Sequence, residues 1–374
     1  MQEHLDLLEK NSDKKLNKIS AEEIAQTKKI IADMVGEIES LQDAEEKKVF
    51  LEFKFGVLQN NILHLAAKFF DDVSVTKILQ IAGNDKNYLD SRNHGFFTPL
   101  HIAAQSGAVA VVKILLDAGC DKNPQASQEN RGWVPIHYAS QFGYVEIAQF
   151  LIESGVDKET KTGFGLTPLV IAAEFGQAKL VEFLLKIGAD KNVQTIEDNH
   201  RMNALHYAAI GNHIDVLLLL LDAGIDVNKE TDQSLNTLEM AAKINHAKIC
   251  FILLSWGAQK MEEALKIAKQ VKAEEVVKEI ELYVKAKKNL FDAKWLKNFA
   301  PNLILILEKF DQNNLGEAKI IISPEVSFNA YGILALKQSF GLIKKTEKTL
   351  LQFAEENKIA DLAEALRKIP KRPA

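Results

Sequence analysis

The sequence predicts an all-α fold, a solenoid of stacked helix pairs, and three observations carry that reading. A heptapeptide recurs six times, starting at Asn61, Thr98, Val134, Thr167, Asn203 and Asn236, with starts 37, 36, 33, 36 and 33 residues apart. A period in that range marks a repeat architecture, in which each unit buries its apolar face only against its neighbours. Downstream of the heptapeptides, apolar pairs recur at i, i+1, i+4 and i+5, as in Val111, Val112, Leu115 and Leu116, a spacing that keeps one helix face buried. Glycines then punctuate the pattern, Gly107, Gly143 and Gly176 after the first helix and Gly119, Gly155, Gly188, Gly224 and Gly257 after the second.

In chain order, residues 1–56 read as an N-terminal helical cap. Ser20-Ala21-Glu22-Glu23 has the form of a capping box, and Ile24, Ile30, Ile31, Met34 and Ile38 follow it on one side of a helix. A second helical stretch from about Asp43 to Phe53 carries Val49, Phe50, Leu51 and Phe53 toward the first repeat. Such a cap covers the apolar face that a solenoid exposes at its end. Each heptapeptide, for example Thr98-Pro99-Leu100-His101-Ile102-Ala103-Ala104, then opens a short first helix. Proline fits its first turn because the missing N–H would be unpaired there anyway.

The helix-pair spacing persists past the last heptapeptide. Met261 to Ala268 followed by Val276, Val277 and Ile280 gives a degenerate seventh pair over 259–288. Residues 289–374 read as a mostly helical C-terminal domain, with apolar runs at Asn302–Leu307 and Lys319–Ile322 too short to separate helix from strand.

These units resemble ankyrin repeats. The resemblance rests on Thr-Pro-Leu-His-x-Ala-Ala, the central glycine, and endings such as Gly119-Cys120-Asp121-Lys122-Asn123 and Gly188-Ala189-Asp190-Lys191-Asn192, in register across about 57–258. It implies antiparallel helix pairs joined by hairpin-like fingers, several of them longer than usual here: Asn87 to Phe97, Pro124 to Trp133 and Val193 to Met202. It also implies that the repeated histidines, His64, His101, His137 and His206, fix the turn locally rather than act in chemistry.

The same resemblance locates the binding positions. Residues just after the Ala-Ala, which include Phe69, Phe142, Phe175 and Ile244, and residues just before the heptapeptide, namely Phe97, Trp133, Leu166, Met202 and Leu235, face the concave groove and finger tips. Arg92, Arg131 and Arg201 are polar companions on the long fingers. Large apolar and aromatic side chains at positions not needed for a core have the composition of binding hot spots. The competing reading is that the finger residues pack on neighbouring fingers.

Composition narrows the function classes. The formal net charge is −5, which supplies no field for a polyanion, and the Lys285, Lys287, Lys288 cluster has no interleaved aromatics, so no nucleic-acid partner is expected. Two cysteines, Cys120 and Cys250, are too few for a disulfide framework and fit a reducing, cytoplasmic setting. No apolar run is long enough to span a membrane, and the start of the chain lacks a signal-peptide pattern. Phosphate loops, nucleophile elbows and zinc-protease motifs are missing, and the adjacent pairs Glu262-Glu263, Glu274-Glu275 and Glu355-Glu356 diverge by about 100° on a helix. No catalytic, cofactor or metal residues are therefore assigned.

The expected function is a monomeric, non-enzymatic scaffold that grips a protein partner in the groove. The alternative expectation is an effector of an intracellular bacterium, acting in the host cytoplasm. In that reading the repeats choose a host protein, residues 289–374 carry a second binding or enzymatic activity, and Glu355-Glu356 belongs to a secretion signal.

Overall fold

The computed structural model describes residues 2–83, 85–127, 132–196 and 200–289. Arg131, the apolar runs Asn302–Leu307 and Lys319–Ile322, and Glu355-Glu356 lie outside the described residues, as does the side chain of each lysine in the cluster at 285–288. The described residues are helical, with one isolated bridge between Phe55 and Asn60. The chain forms two compact units, Met1–Leu235 and Asn236–Ala374.

In the first unit, helices α1 (Gln2–Ser12), α2 (Ala21–Ser40) and α3 (Ala44–Glu52) precede the first helix pair, α4 (Ile62–Lys68) and α5 (Asp72–Ala82). The extra residues of the next finger wind into a short helix, α6 (Lys86–Leu89). Four more pairs follow: α7 (Pro99–Ser106) with α8 (Val109–Asp117), α9 (Pro135–Phe142) with α10 (Val145–Glu153), α11 (Pro168–Glu174) with α12 (Ala178–Lys186), and α13 (Ala204–Ile210) with α14 (Ile214–Asp222). First helices pack in order α4, α7, α9, α11, α13, and second helices in order α5, α8, α10, α12, α14.

The local causes are visible in each pair. At the start of α4, Asn61 Oδ1 accepts from the His64 N–H at 3.0 Å, and Thr98 and Thr167 cap α7 and α11 in the same way. The helix then stops after two turns because residue 107, 143 or 176 sits at φ of 82°, 73° or 70°, where glycine is strain-free. In the second helices, Val111, Val112 and Leu115, and their equivalents Ile147, Ala148 and Leu151, are buried. Burying each large aliphatic side chain contributes about 1.5–3 kcal/mol.

The N-terminal helices are sewn onto the first pair. Ser20 Oγ accepts from the Glu23 N–H at 3.1 Å and Glu23 Oε2 accepts from the Ser20 N–H at 3.0 Å, so the capping box starts α2 as expected. The Ser20 N–H, followed by Lys10, holds the Glu23 carboxyl at a pKa of about 2. Ile30, Ile31 and Ile38 are buried; Ile24 and Met34 are half-buried, and Val35 takes the inner position instead. Lys68, at the end of α4, donates to the carbonyls of Asn11, Ser12 and Lys14 at 2.9, 2.7 and 2.6 Å, and so supplies a cation to the C-terminal end of α1. Asp13 accepts from the N–H groups of Val57 and Leu58 at 2.8 and 3.0 Å.

One expectation fails here. Of the four apolar residues that α3 was to carry inward, only Leu51 is buried; Val49, Phe50 and Phe53 face solvent. The reason is helical geometry, since a 9-residue helix docked on one side keeps only one of two neighbouring apolar rows against its support.

The second unit is described over α15 (Thr237–Lys243), α16 (Ala247–Ser255), α17 (Met261–Gln270) and α18 (Glu274–Asn289), with α15 packing on α16 and α17, and α18 on α16 and α17. Its start at Asn236 falls inside the stretch 57–258 that the sequence marks as one array.

Replacing Lys68 with Met removes three donated hydrogen bonds while keeping the aliphatic stem. The first unit is expected to lose about 2 kcal/mol in urea unfolding, with amide exchange rising selectively over residues 2–19; unchanged exchange there would show that the clasp does not hold α1.

Candidate protein-binding surface

The repeated histidines hold one repeat to the next. Nε2 of His64, His101, His137 and His206 lies 3.0, 3.1, 2.9 and 3.1 Å from the carbonyls of Phe97, Trp133, Thr160 and Lys229, each in the following finger. A carbonyl only accepts, so Nε2 carries the proton and donates. Nδ1 then accepts from the N–H at the start of its own helix, from Thr98 at 3.1 Å to His101 and from Val134 at 3.1 Å to His137. Burial keeps the rings neutral, lowering His64 to a pKa of about 3 and His101, His137 and His206 to about 4.

Two positions depart from this slot. Val170 stands there in α11 and has no donor to offer. Glu239 stands there in the second unit, where its Oε2 accepts from the Asn236 N–H at 2.9 Å and lies 3.6 Å from Lys260 Nζ.

A second set of links runs along the turns between the helices of a pair. Gln177 Nε2 donates to the Gln141 carbonyl at 2.8 Å, and His213 Nε2 lies 3.0 Å from the Glu174 carbonyl. These side chains lie directly over Gly143 and Gly176, where a Cβ would meet Gln177 Oε1 at 2.3 Å or His213 Nδ1 at 2.5 Å. Glycine is thus required twice at each of these turns, by φ and by the close approach of the next repeat.

With the repeats fixed in this way, the candidate residues separate by accessibility. Phe142 and Phe175 are 44% and 40% exposed, at the same position of two consecutive first helices that pack on each other. Phe142 stacks on Tyr144, with ring centroids 5.8 Å apart. Ile244, at the equivalent position of the second unit, is 40% exposed.

The finger-base residues are mostly covered. Trp133 is buried against Tyr138, with centroids 5.1 Å apart, and Leu166 and Met202 are also buried; Phe97 and Leu235 are half-buried. Phe97 packs 5.5 Å from both His101 and Tyr138. The finger base therefore serves as a lid on the first helices, and packing between neighbours describes Trp133, Leu166 and Met202 better than an open contact surface. Phe69 is completely buried beside Lys68, because the N-terminal segment covers the first repeat. Arg92 is exposed, yet its Nη1 donates to the carbonyls of Phe96 and Gln125, bridging two fingers. Arg201 is exposed on its finger.

Ile210, at the offset just after Ala208-Ala209, is 39% exposed, and sequence offsets missed Phe96, Phe164 and Ile196, which are 53%, 38% and 43% exposed. Phe96, Phe164 and Ile196 sit in finger tips, where adjacent turns are joined by backbone bonds such as Ile196 N–H to the Phe164 carbonyl at 3.3 Å. The available signal was a large apolar residue inside a turn, a place where solvation favours polar ones.

Helix pairs stacked first on first and second on second, linked through fingers, define a helical repeat solenoid. The family described as Ankyrin repeats (3 copies) matches residues 63–162 and 155–232. The crystal structure of the human ASB11 ankyrin repeat domain is similar at a TM-score of 0.50 and 23% identity, over 61% of this chain and 97% of that one. No curated protein matches the sequence. Residues 63–232 of the chain are ankyrin repeats. Ankyrin repeats are generally protein-interaction modules, typically without catalysis.

The depressed histidine pKa values set a pH dependence. In the unfolded chain these groups protonate near pH 6.5 and in the folded chain only near 3 to 4, so the unfolded state takes up protons first as pH falls. The stability they contribute is full above about pH 6.5 and declines from there toward pH 4, by up to about 1.4 kcal/mol per pH unit for each histidine. His137→Phe, which strands the Val134 N–H and the Thr160 carbonyl, is expected to lower stability by about 3 kcal/mol at pH 7.5 and to flatten that acid limb. Urea titrations at pH 7.5, 6 and 5 measure both effects.

Proposed function

We propose that the protein binds a protein partner, without catalysis, through the surface of the first unit that carries Phe142 and Phe175. The observation that supports this reading is their paired exposure: two phenylalanines repeat at one structural position, and the core beneath them is already filled by Ala139, Ala172 and Ala173. Aromatic side chains held on a rigid, hydrogen-bonded support lose little entropy on binding, and such residues dominate interface energies. The exposed Ile210 in α13 continues the apolar character into the next repeat.

No helix among the described residues is long and apolar enough to cross a membrane, and Cys120 and Cys250 are buried free thiols. Burial pushes both thiols up to a pKa of about 12, which suits packing rather than reactivity. Unpaired thiols support a role in a reducing compartment such as the cytoplasm.

The double variant Phe142→Ala/Phe175→Ala tests the surface, because both residues are exposed and their truncation leaves the core intact. Partner retention measured by affinity capture with quantified elution is expected to fall at least about tenfold, a loss of about 2 kcal/mol or more, with an unchanged thermal midpoint. Equal retention by a folded variant would remove the basis for assigning binding to this face.

A further inference from the structure

The pair α17 and α18 leaves one side uncovered among the described residues. Each pair can be counted from its left-handed turn residue, Gly176 at φ 70°, Asn245 at φ 61° and Lys272 at φ 58°. The positions seven and three residues before the turn and five after it are Leu238, Ala242 and Cys250 in α15 and α16, all completely buried. In the first unit Leu169, Ala173 and Val181 hold the same places and are equally buried. In α17 and α18 the places fall to Leu265 and Val277, which are half-buried, and Lys269, which is exposed. The row beside them, Ala264, Ala268, Val276 and Ile280, is completely buried against α15 and α16 and within the pair. A hollow of about 550 Å³ opens on the uncovered side, with Lys269, Val277 and Glu281 in its lining.

Later in the chain the same count recurs. Thr349-Leu350-Leu351-Gln352-Phe353-Ala354-Glu355-Glu356-Asn357 repeats Thr237-Leu238-Glu239-Met240-Ala241-Ala242-Lys243-Ile244-Asn245 with Thr, Leu, Ala and Asn in register. After Asn357, residues Leu362, Ala365 and Leu366 stand where Cys250, Leu253 and Leu254 stand after Asn245. The row filled by Ala264, Ala268, Val276 and Ile280 in α17 and α18 is Thr349, Phe353, Asp361 and Ala365 in this segment.

Two departures from the pattern match each other. Asp361 replaces the aliphatic residue that Val216, Ile249 and Val276 supply, and Lys269 replaces the small residue that Ala173, Ala209 and Ala242 supply. One lies four residues after its turn and the other three before, so on antiparallel helices both stand about one helical turn from the loop end, at one level. Lys269 Nζ is 3.4 Å from Glu281 on an exposed side chain, and an ammonium has donors for a second carboxylate.

We propose that residues 349–366 dock on the uncovered side of α17 and α18 as one more helix pair, so that the second unit is closed by a segment of its own chain. Phe353, larger than the alanine usual at its position, enters the hollow beside Val277, and Asp361 pairs with Lys269. A solenoid end gains from such a cover because the face that meets the next repeat is otherwise left to water. The contact lies within the second unit, so it stands or fails without the surface of Phe142 and Phe175.

Hydrogen exchange followed by mass spectrometry on the full chain tests this. Wild-type amides over 350–356 and 359–366 are expected to exchange at least about tenfold more slowly than free chain. Phe353→Asp is expected to return them to free-chain rates and to raise exchange over 276–284 at least about tenfold, with the first unit unchanged. Amine cross-linking of a mixture of unlabelled and nitrogen-15-labelled protein is expected to join Lys272 or Lys278 to Lys358 within one chain. Free-chain exchange over 349–366 in the wild type, or unchanged exchange over 276–284 in Phe353→Asp, would overturn the proposal. Links that join differently labelled chains would assign the face to a second copy and overturn it as well.

Discussion

The first unit depends on a neutral, buried imidazole that binds in two directions at once. A first helix two turns long offers too few internal hydrogen bonds to be stable alone, and the finger beyond the pair is closed by turn bonds such as Thr162 N–H to the Leu166 carbonyl without being tied by them to the helix. The histidine at its third helical position answers both needs. Its Nδ1 accepts the otherwise unpaired N–H at the helix start, and its Nε2 donates to a carbonyl of the next finger. Local helix capping and long-range stacking are thereby carried by one side chain. The arrangement requires a proton on Nε2 and none on Nδ1, and the apolar surroundings supply that by excluding the charged form.

Once the repeats are held in this way, side chains outside the stack need not serve it. The core of each pair is complete with small alanines inside the first helix and branched residues inside the second. Phe142, Phe175 and Ile210 project beyond that core, and their spacing is set by the hydrogen bonds beneath them, including those of Gln177 and His213 across the turns. The rings therefore stay exposed on a rigid support. The same logic applies at α3, where one apolar row docks and the adjacent row remains outside.

Much of the fold was legible because each repeat writes its own hydrogen-bond rules into the chain. Asn or Thr before the helix, proline in its first turn, histidine two residues later and glycine at the left-handed turn are each a local requirement, and together they fix the helix pair. The exposure of the candidate residues was less legible. Offsets from the heptapeptide mark Phe142 and Phe175, two residues past the end of the heptapeptide, and both are exposed. They fail at Trp133, Leu166 and Met202, because whether a finger-base side chain lies open depends on the neighbour it meets, and Tyr138 closes over Trp133. They fail at Phe69 because a segment more than fifty residues earlier, ending near Lys14, is folded over that repeat. The exposed row of α3 escaped for a related reason: periodicity identifies two adjacent apolar rows, and only docking decides which of them is inside.

The central claim is that four imidazoles are neutral, Nε2-protonated links between repeats. Side-chain nitrogen chemical shifts of His64, His101, His137 and His206, followed by NMR from pH 7.5 down to pH 5, test it most directly. The account predicts that all four keep the shift pattern of a neutral ring protonated at Nε2 throughout that range. Titration of any of them above pH 6, or a ring protonated at Nδ1 alone, would contradict it.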